Sequence, residues 1–187
     1  MTEQREDTRN VTDYYKYWTV EAIKADLETK AHNFSVLVLN DTRDFNLGTV
    51  IRNANAFCAK EVIVYGKKKY DKRGTVGAHL YTNLRKVRFC DELDLRGAVV
   101  VGVDNLDGAV PIETFEWPRD HVIMVFGQES TGLTQEMIDL CNHMVYIEQY
   151  GSVRSLNVGC ASAIAFFSYC LQHGRKYRED SCPDYSI

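Results

Sequence analysis

The sequence lacks the features of a membrane, secreted or zinc-binding protein. No stretch of its 187 residues approaches the roughly 18 consecutive apolar residues that span a bilayer. Its first ten residues, MTEQREDTRN, are polar and contain no apolar segment typical of a signal peptide. Its six cysteines are scattered and form no C-x-x-C pair. We therefore expect a cytoplasmic protein with reduced thiols and no metal site.

Positive charge is also scarce. The chain has 22 Lys and Arg residues against 26 Asp and Glu residues, a formal net charge of −4. This balance argues against a generally basic nucleic-acid binder, but it allows local basic patches. Three such patches occur: Lys67, Lys68, Lys69, Lys72 and Arg73; Arg85, Lys86 and Arg88; and Arg175, Lys176 and Arg178. Each could equally be an ordinary solvated surface.

Several common catalytic and nucleotide-binding motifs are missing. There is no G-x-G for a dinucleotide site, no G-x-S-x-G nucleophile elbow, and no S-x-x-K. GQESTGLT, residues 127–134, has the glycine spacing of a P-loop but carries Leu133 where that loop needs lysine. Asp104 follows an apolar run and could bond a ribose hydroxyl, although such a residue is often part of a turn. The sequence therefore disfavours a nucleotidase and a serine hydrolase.

What the sequence does contain is a regular alternation of strand and helix patterns. Apolar runs of strand length occur at 35–40, 61–66, 98–103, 122–127 and 143–148. Helical spacing of apolar residues occurs at 19–31, 46–59, 133–141 and 155–170. This order predicts an α/β domain with a mostly parallel sheet and helices on both faces. A ligand would bind in loops beyond the carboxyl ends of the strands, here 41–48, 127–133 and 148–155.

Three polar residues in or near these loops allow a structural and a functional interpretation. Ser155 could cap the following helix, because serine oxygens accept hydrogen bonds from the first helical N–H groups. Arg52 lies in an otherwise apolar helix, where it could face solvent or reach a phosphate. Glu129 sits in a turn after a strand, where a carboxylate could either stabilise the turn or belong to a site.

Three segments together resemble SpoU/TrmH-type RNA 2′-O-methyltransferases of the SPOUT superfamily. They are NLGTVIRNANAFCAKEVIVYG, VFGQESTGL and YIEQYGSVRSLNVGCASAIAFF, in the family's order and covering about 46–167. The resemblance implies a C-terminal trefoil knot, S-adenosylmethionine as cofactor, a homodimer, and methyl transfer to a ribose 2′-hydroxyl of RNA. It also implies that YGSVRSLN, residues 150–157, wraps the cofactor, and that Gly159, Ala161, Ser162 and Ala163 let another backbone approach the last helix. One departure is Glu148, where the family commonly has proline.

The resemblance also assigns site residues. The catalytic residues would be Asn46, Arg52, Glu129, Ser155 and Asn157, with Arg52 acting as general base or as phosphate clamp. Ser155 and Asn157 could hold Arg52 or the ribose, and Glu129 could anchor Asn46 or the knotted loop. The cofactor would contact Asp104, Gly127, Ile147 and Leu156, and no metal is needed. RNA would contact Arg52, Lys67, Lys68, Lys69, Lys72, Arg73 and Arg154.

The expected organisation is an N-terminal arm and helix at 1–33, a SPOUT methyltransferase domain at 34–174 and a polar tail at 175–187. The first 33 residues are too few for a separate RNA-binding domain. The few basic patches favour a folded tRNA, read by shape, over rRNA. The alternative from another class is a catalytically idle RNA-binding module that keeps the fold.

Overall fold

The computed structural model describes residues 6–40, 46–129 and 131–174. It contains one seven-stranded sheet in which every pair of neighbouring strands is parallel. In chain order the strands are β1 (His32–Leu39), β2 (Ala59–Tyr65), β3 (Leu84–Val87), β4 (Ala98–Val103), β5 (Val110–Pro111), β6 (His121–Phe126) and β7 (His143–Tyr146). Across the sheet their order is β3-β2-β1-β6-β4-β7-β5.

Helices cover both faces of this sheet. They are α1 (Val20–Lys30), α2 (Asn46–Ala56), α3 (Gln135–Asp139) and α4 (Val158–His173). The central strand β1 shows why two layers form, because successive side chains of a strand point to opposite faces. Val36 and Val38 pack in the cluster that contains α2 and α4. Leu37 and Leu39 pack in the cluster that contains Met137 of α3. A strand buried on both faces must be apolar throughout.

Small and polar residues bring α2 and α4 together. A Cβ atom at Gly159 would lie 2.7 Å from Cγ2 of Thr49, so a larger residue there would push the two helices apart. The Asn53 side-chain amide donates hydrogen bonds to the Gly159 carbonyl at 2.7 Å and to the Ser162 hydroxyl at 3.0 Å. The close backbone approach expected at Gly159 and Ser162 is therefore the approach of α2.

The structure confirms the predicted fold class and the positions of the five predicted strands and the main helices. Three details of the prediction were wrong. The helix predicted from residue 155 begins at Val158, and its cap is Asn157, whose Oδ1 accepts from the N–H groups of Gly159 and Cys160 at 2.9 and 3.3 Å. Ser155 therefore lies outside the helix, and both Ser155 and Leu156 have a non-helical backbone. The short strands β3 and β5 were not predicted, and α3 is shorter than expected.

Other expectations remain predictions. The trefoil knot and the boundaries of the three segments are not decided by the sheet topology. Residues 1–5, 41–45, 130 and 175–187 lie outside the described ranges, and they include the whole of the predicted tail. Within the described ranges, none of the helices is long and apolar enough to cross a membrane. No group of three potential metal-binding side chains occurs there either.

Phe166 of α4 is a suitable probe of the core. It is fully buried, and its ring lies 5.2 Å from that of Phe34 and 5.7 Å from that of Phe126. We expect Phe166→Ala to lower the free energy of unfolding by about 3–5 kcal/mol, because it removes buried area and leaves a cavity. Phe89→Ala is the matched control, since Phe89 is 54% exposed. Urea denaturation would measure both, and equal losses would contradict this description of the core.

Candidate active site

A cavity of about 280 Å³ lies beyond the carboxyl ends of β4, β6 and β7. Its position follows from the topology, since the ends of neighbouring parallel strands meet at one edge of the sheet. Apolar side chains form much of its wall: Val103, Leu106, Phe126, Leu133, Ile147, Leu156, Val158 and Ala161. The rest is polar and comes from the loops that follow the same strands. The cavity can therefore hold a molecule with both a flat apolar part and polar groups.

The loop after β6 is shaped by a very close backbone approach. Gln128 and Gly132 exchange backbone hydrogen bonds of 3.1 and 2.8 Å, which bring the two ends of the loop together. A Cβ atom at Gly127 would lie 2.1 Å from the carbonyl carbon of Gly132. Only glycine fits at position 127 without moving the backbone.

Asp104 braces this loop from the neighbouring strand. Its Oδ2 accepts a hydrogen bond from the Leu133 N–H at 2.8 Å, and its Oδ1 accepts one from the Asn105 N–H at 2.8 Å. The carboxylate thereby joins the loop after β4 to the loop after β6. Asp104 lines the cavity as expected, and its observed contacts are with the protein backbone.

A polar cluster joins three distant parts of the chain at the rim of the cavity. Glu129, after β6, accepts hydrogen bonds from the side-chain amides of Asn46 and Asn157 through its two oxygens, the second at 3.2 Å. Asn157 also donates to Oδ1 of Asn46 at 2.7 Å. The first turn of α2, the loop after β6 and the cap of α4 are thus held together by one exposed carboxylate.

Arg52 stands apart from this cluster and from the cavity lining. It is exposed on α2, and none of the ion pairs within the described ranges includes it. Gly48 and Thr49 lie one turn earlier, against the backbone of Gly74 and against α4 respectively. The expected contact of Arg52 with Asn157 or Ser155 is absent from the hydrogen bonds within the described ranges.

The structure brings most of the predicted site residues together. Asp104, Gly127, Glu129, Ile147, Ser155 and Leu156 line the cavity, while Asn46 and Asn157 adjoin it through Glu129. Sequence reasoning missed Gln149, which also lines the cavity and whose buried Oε1 has no hydrogen-bond partner among the described residues. Its only sequence signal was its position in the loop after β7. A buried acceptor of this kind needs a donor, which a bound ligand could supply.

The predicted RNA-binding residues differ in how much of their charge is available. Lys67, Lys68, Lys69, Lys72 and Arg154 are exposed. Arg73 is paired with Asp71 through bonds of 3.0 and 3.1 Å at its Nε, and this pairing lowers the pKa of Asp71. Arg85, on β3, is paired with Glu61 on β2 at 2.8 and 3.1 Å. The group at 175–178 lies outside the described residues.

Comparison with known proteins decides the family. The SpoU rRNA Methylase family matches residues 33–167. The chain belongs to this family. Similar curated members include the 23S rRNA (guanosine-2′-O-)-methyltransferase RlmB of Acinetobacter baylyi, 30% identical over 148 residues that cover 73% of this chain and 59% of that protein. The tRNA (guanosine(18)-2′-O)-methyltransferase of Escherichia coli is 27% identical and covers 73% of this chain and 63% of its own length. The chain thus spans about 60% of the length of these SpoU-family relatives.

Solved structures agree with this family assignment. The SpoU methyltransferase AviRb from Streptomyces viridochromogenes, in complex with AdoMet, has a TM-score of 0.67 at 26% identity, covering 75% of this chain and 58% of AviRb. The TrmH/SpoU tRNA modifying enzyme of A. aeolicus has a TM-score of 0.70 at 23% identity, covering 82% and 81%. These likenesses confirm the SpoU-type fold.

The contact at Gly127 can be tested against a matched glycine. Gly127→Ala should lower the free energy of unfolding by about 1–3 kcal/mol, because its new methyl group has no room beside Gly132. Gly151→Ala is the control, since a Cβ atom there would meet nothing within 4 Å. We expect it to change stability by less than about 0.5 kcal/mol. Chemical denaturation of both variants measures the difference, and a Gly127→Ala protein as stable as the wild type would contradict the described loop.

Proposed function

We propose that this protein is an S-adenosylmethionine-dependent methyltransferase that modifies a ribose 2′-hydroxyl of RNA. The observation that carries the proposal is the hydrogen-bonded cluster of Asn46, Glu129 and Asn157 at the rim of the cavity. These residues belong to the three segments by which the chain resembles RNA 2′-O-methyltransferases. A module that only binds RNA has no need for such a polar cluster at the rim of a cofactor-sized cavity.

The cavity residues fit S-adenosylmethionine by their chemistry. Leu106, Ile147 and Leu156 offer apolar surface for a purine ring, and the unpartnered Gln149 Oε1 offers an acceptor for an amino group. The tight turn at Gly127 leaves backbone groups close to the cavity, where a ligand can approach them. When bound, the cofactor would supply an electrophilic methyl group. The family resemblance and the AdoMet complex of AviRb support this choice of cofactor.

The residues around the cavity would position the nucleophile. A neutral ribose hydroxyl is a weak nucleophile, so it must lose its proton, here to solvent water, as it attacks the methyl group. Arg52 would clamp the adjacent phosphate with its planar fork and stabilise the developing oxyanion. Ser155 would hydrogen-bond the ribose, while Asn46, Glu129 and Asn157 would fix the two helix ends between which the ribose sits.

The proposed substrate is a guanosine in a folded RNA. Both curated relatives described above are named for guanosine 2′-O-methylation, one of 23S rRNA and one of tRNA. The small number of available cations favours tRNA, whose compact shape needs fewer phosphate contacts than a long strand.

We also propose that the protein works in the cytoplasm as a homodimer. The outward face of α4 supports a dimer, since Ile164, Phe167 and Leu171 are 37%, 54% and 70% exposed.

The deciding experiment is transfer of a tritiated methyl group from S-adenosylmethionine to total RNA. Digestion of the RNA should release labelled 2′-O-methylguanosine from the tRNA fraction. Label in large RNA would move the target to the ribosome, and label on a base would exclude ribose methylation. Calorimetry with S-adenosylhomocysteine tests the cavity separately. Failure of both measurements would favour the idle RNA-binding module.

Arg52→Ala separates the proposed role in turnover from cofactor binding. We expect the variant to bind S-adenosylhomocysteine within about twofold of the wild type, because Arg52 does not line the cavity, and to lose at least about 100-fold in methyl transfer. Arg119→Ala is the matched control, an exposed arginine that precedes β6 at the opposite edge of the sheet. Comparable loss of cofactor affinity and turnover in Arg52→Ala would contradict the assigned role.

A further inference from the structure

We infer that Phe89 and the cations around it form a binding site for an unpaired base of the RNA, separate from the cavity. We call Lys67, Lys68, Lys69, Lys86, Arg88 and Phe89 the stacking patch. The inference rests on the proposed function, because it assumes an RNA substrate. It adds to that function a second contact point and a requirement that the substrate offer an unpaired nucleotide near the target ribose.

The stacking patch lies at the same edge of the sheet as the cavity. Lys67 follows the end of β2, and Phe89 follows the end of β3 by two residues. Neighbouring strands are about 4.8 Å apart, so the ends of β3 and β6 are separated by three spacings, about 14 Å. A strand of RNA whose ribose is held at the cavity can therefore reach the patch within a few nucleotides.

Three hydrogen bonds fix the loops that carry the stacking patch. The buried Asn40, at the end of β1, donates a hydrogen bond to the Lys68 carbonyl at 2.7 Å. The Gly66 N–H donates to the Val87 carbonyl at 2.9 Å, which ties the loop after β2 to the end of β3. On the other side, the Glu92 carboxylate accepts from the Arg88 N–H at 2.9 Å and closes the turn that presents Phe89. The patch is thus preorganised for binding.

An exposed aromatic ring beside a cation is the central feature of the patch. The Phe89 ring is 54% exposed, and the ammonium group of Lys67 lies 5.5 Å from its centroid. Exposure of a phenyl ring to water is unfavourable. Stacking with a nucleobase covers the ring, and any of the four bases can do this because each has a flat aromatic face. Lys67 would meet the phosphate attached to that base while it remains beside the ring.

The charges around Phe89 favour a polyanion over a protein partner. The five cations of the stacking patch take part in no ion pair within the described ranges, in contrast to Arg73 and Arg85. Of the nearby acidic side chains, Glu92 accepts a hydrogen bond from the Arg88 N–H and Asp94 is paired with Arg96 at 2.9 Å, while Asp91 is exposed. Duplex RNA keeps its bases stacked inside the helix, so only an unpaired base can cover the Phe89 ring.

The test compares single-stranded and duplex RNA. The probes are a fluorescein-labelled 12-nucleotide RNA without secondary structure and a blunt duplex of the same length. A second version of the single-stranded RNA carries 2-aminopurine at its centre. The fluorescence of this base falls when it stacks. We expect Phe89→Ala to bind the single strand about tenfold more weakly and to lose part of the 2-aminopurine quenching. Phe89→Tyr should restore both, because it keeps an aromatic ring.

Two controls keep the result interpretable. Leu80→Ala changes a side chain that is 47% exposed and precedes the start of β3, at the opposite edge, and it should bind like the wild type. Lys67→Ala should weaken both the single strand and the duplex, because phosphate contacts do not require unpaired bases. Folding of each variant is checked by its unfolding curve.

Equal binding of the single strand by Phe89→Ala and the wild type would overturn the inference and leave Phe89 available to a protein partner. An equal loss on single strand and duplex would also overturn it, since stacking should not affect the duplex. Neither outcome contradicts the proposed function, which is tested separately by methyl transfer to cellular RNA and by binding of S-adenosylhomocysteine. Conversely, absence of methyl transfer with an intact stacking signal would reject the proposed enzyme and keep the RNA site.

Discussion

In a wholly parallel sheet every strand ends at the same edge, and the rest of this molecule is arranged around that constraint. The connections must cross from one edge to the other, so helices cover both faces and bury the apolar strands. The loops at the carboxyl edge are then the place where distant parts of the chain can meet. Asn46, Glu129 and Asn157 are far apart in sequence, yet they share hydrogen bonds there. The same edge carries the cavity and the basic loops after β2 and β3.

Glycine sets how closely the elements at this edge approach. Gly127 lets a loop fold back on itself, and Gly48 lets α2 lie against the backbone of Gly74, where a Cβ atom would be only 2.8 Å from the backbone. Gly159 does the same between α2 and α4. In each case the neighbour is backbone or a short side chain, which cannot move aside as a long flexible one could. The cavity therefore has a rigid frame, a property that suits a site required to position a weak nucleophile.

The sequence predicted the buried strands well because burial on both faces imposes a simple pattern, a continuous apolar run such as that of β4. It failed for β3, whose four residues, Leu84–Val87, include two cations and are paired with β2 alone. Position 155 was misjudged as a helix cap because serine and asparagine are both good caps, and composition does not say which one the backbone selects. The ion pair between Glu61 and Arg85 could not be predicted from the sequence either, since it depends on which strands are neighbours in the sheet. Arg73 and Asp71 are only two residues apart, so their pairing could have been considered.

The distribution of charge gives the clearest link between composition and the proposed RNA chemistry. A protein with net charge −4 cannot rely on a general attraction to phosphate. Ion pairs reduce that attraction further at Arg73 and Arg85, whereas the cations of the stacking patch take part in no ion pair within the described ranges. With about five phosphate contacts to a single strand, the logarithm of affinity would fall with the logarithm of salt with a slope of about −3.5. Such an electrostatic contribution is modest, so selectivity must come from contacts insensitive to salt. Stacking on Phe89 and the fit of the ribose at the cavity rim are contacts of that kind, and their combination would discriminate an RNA by the shape in which it presents an unpaired nucleotide.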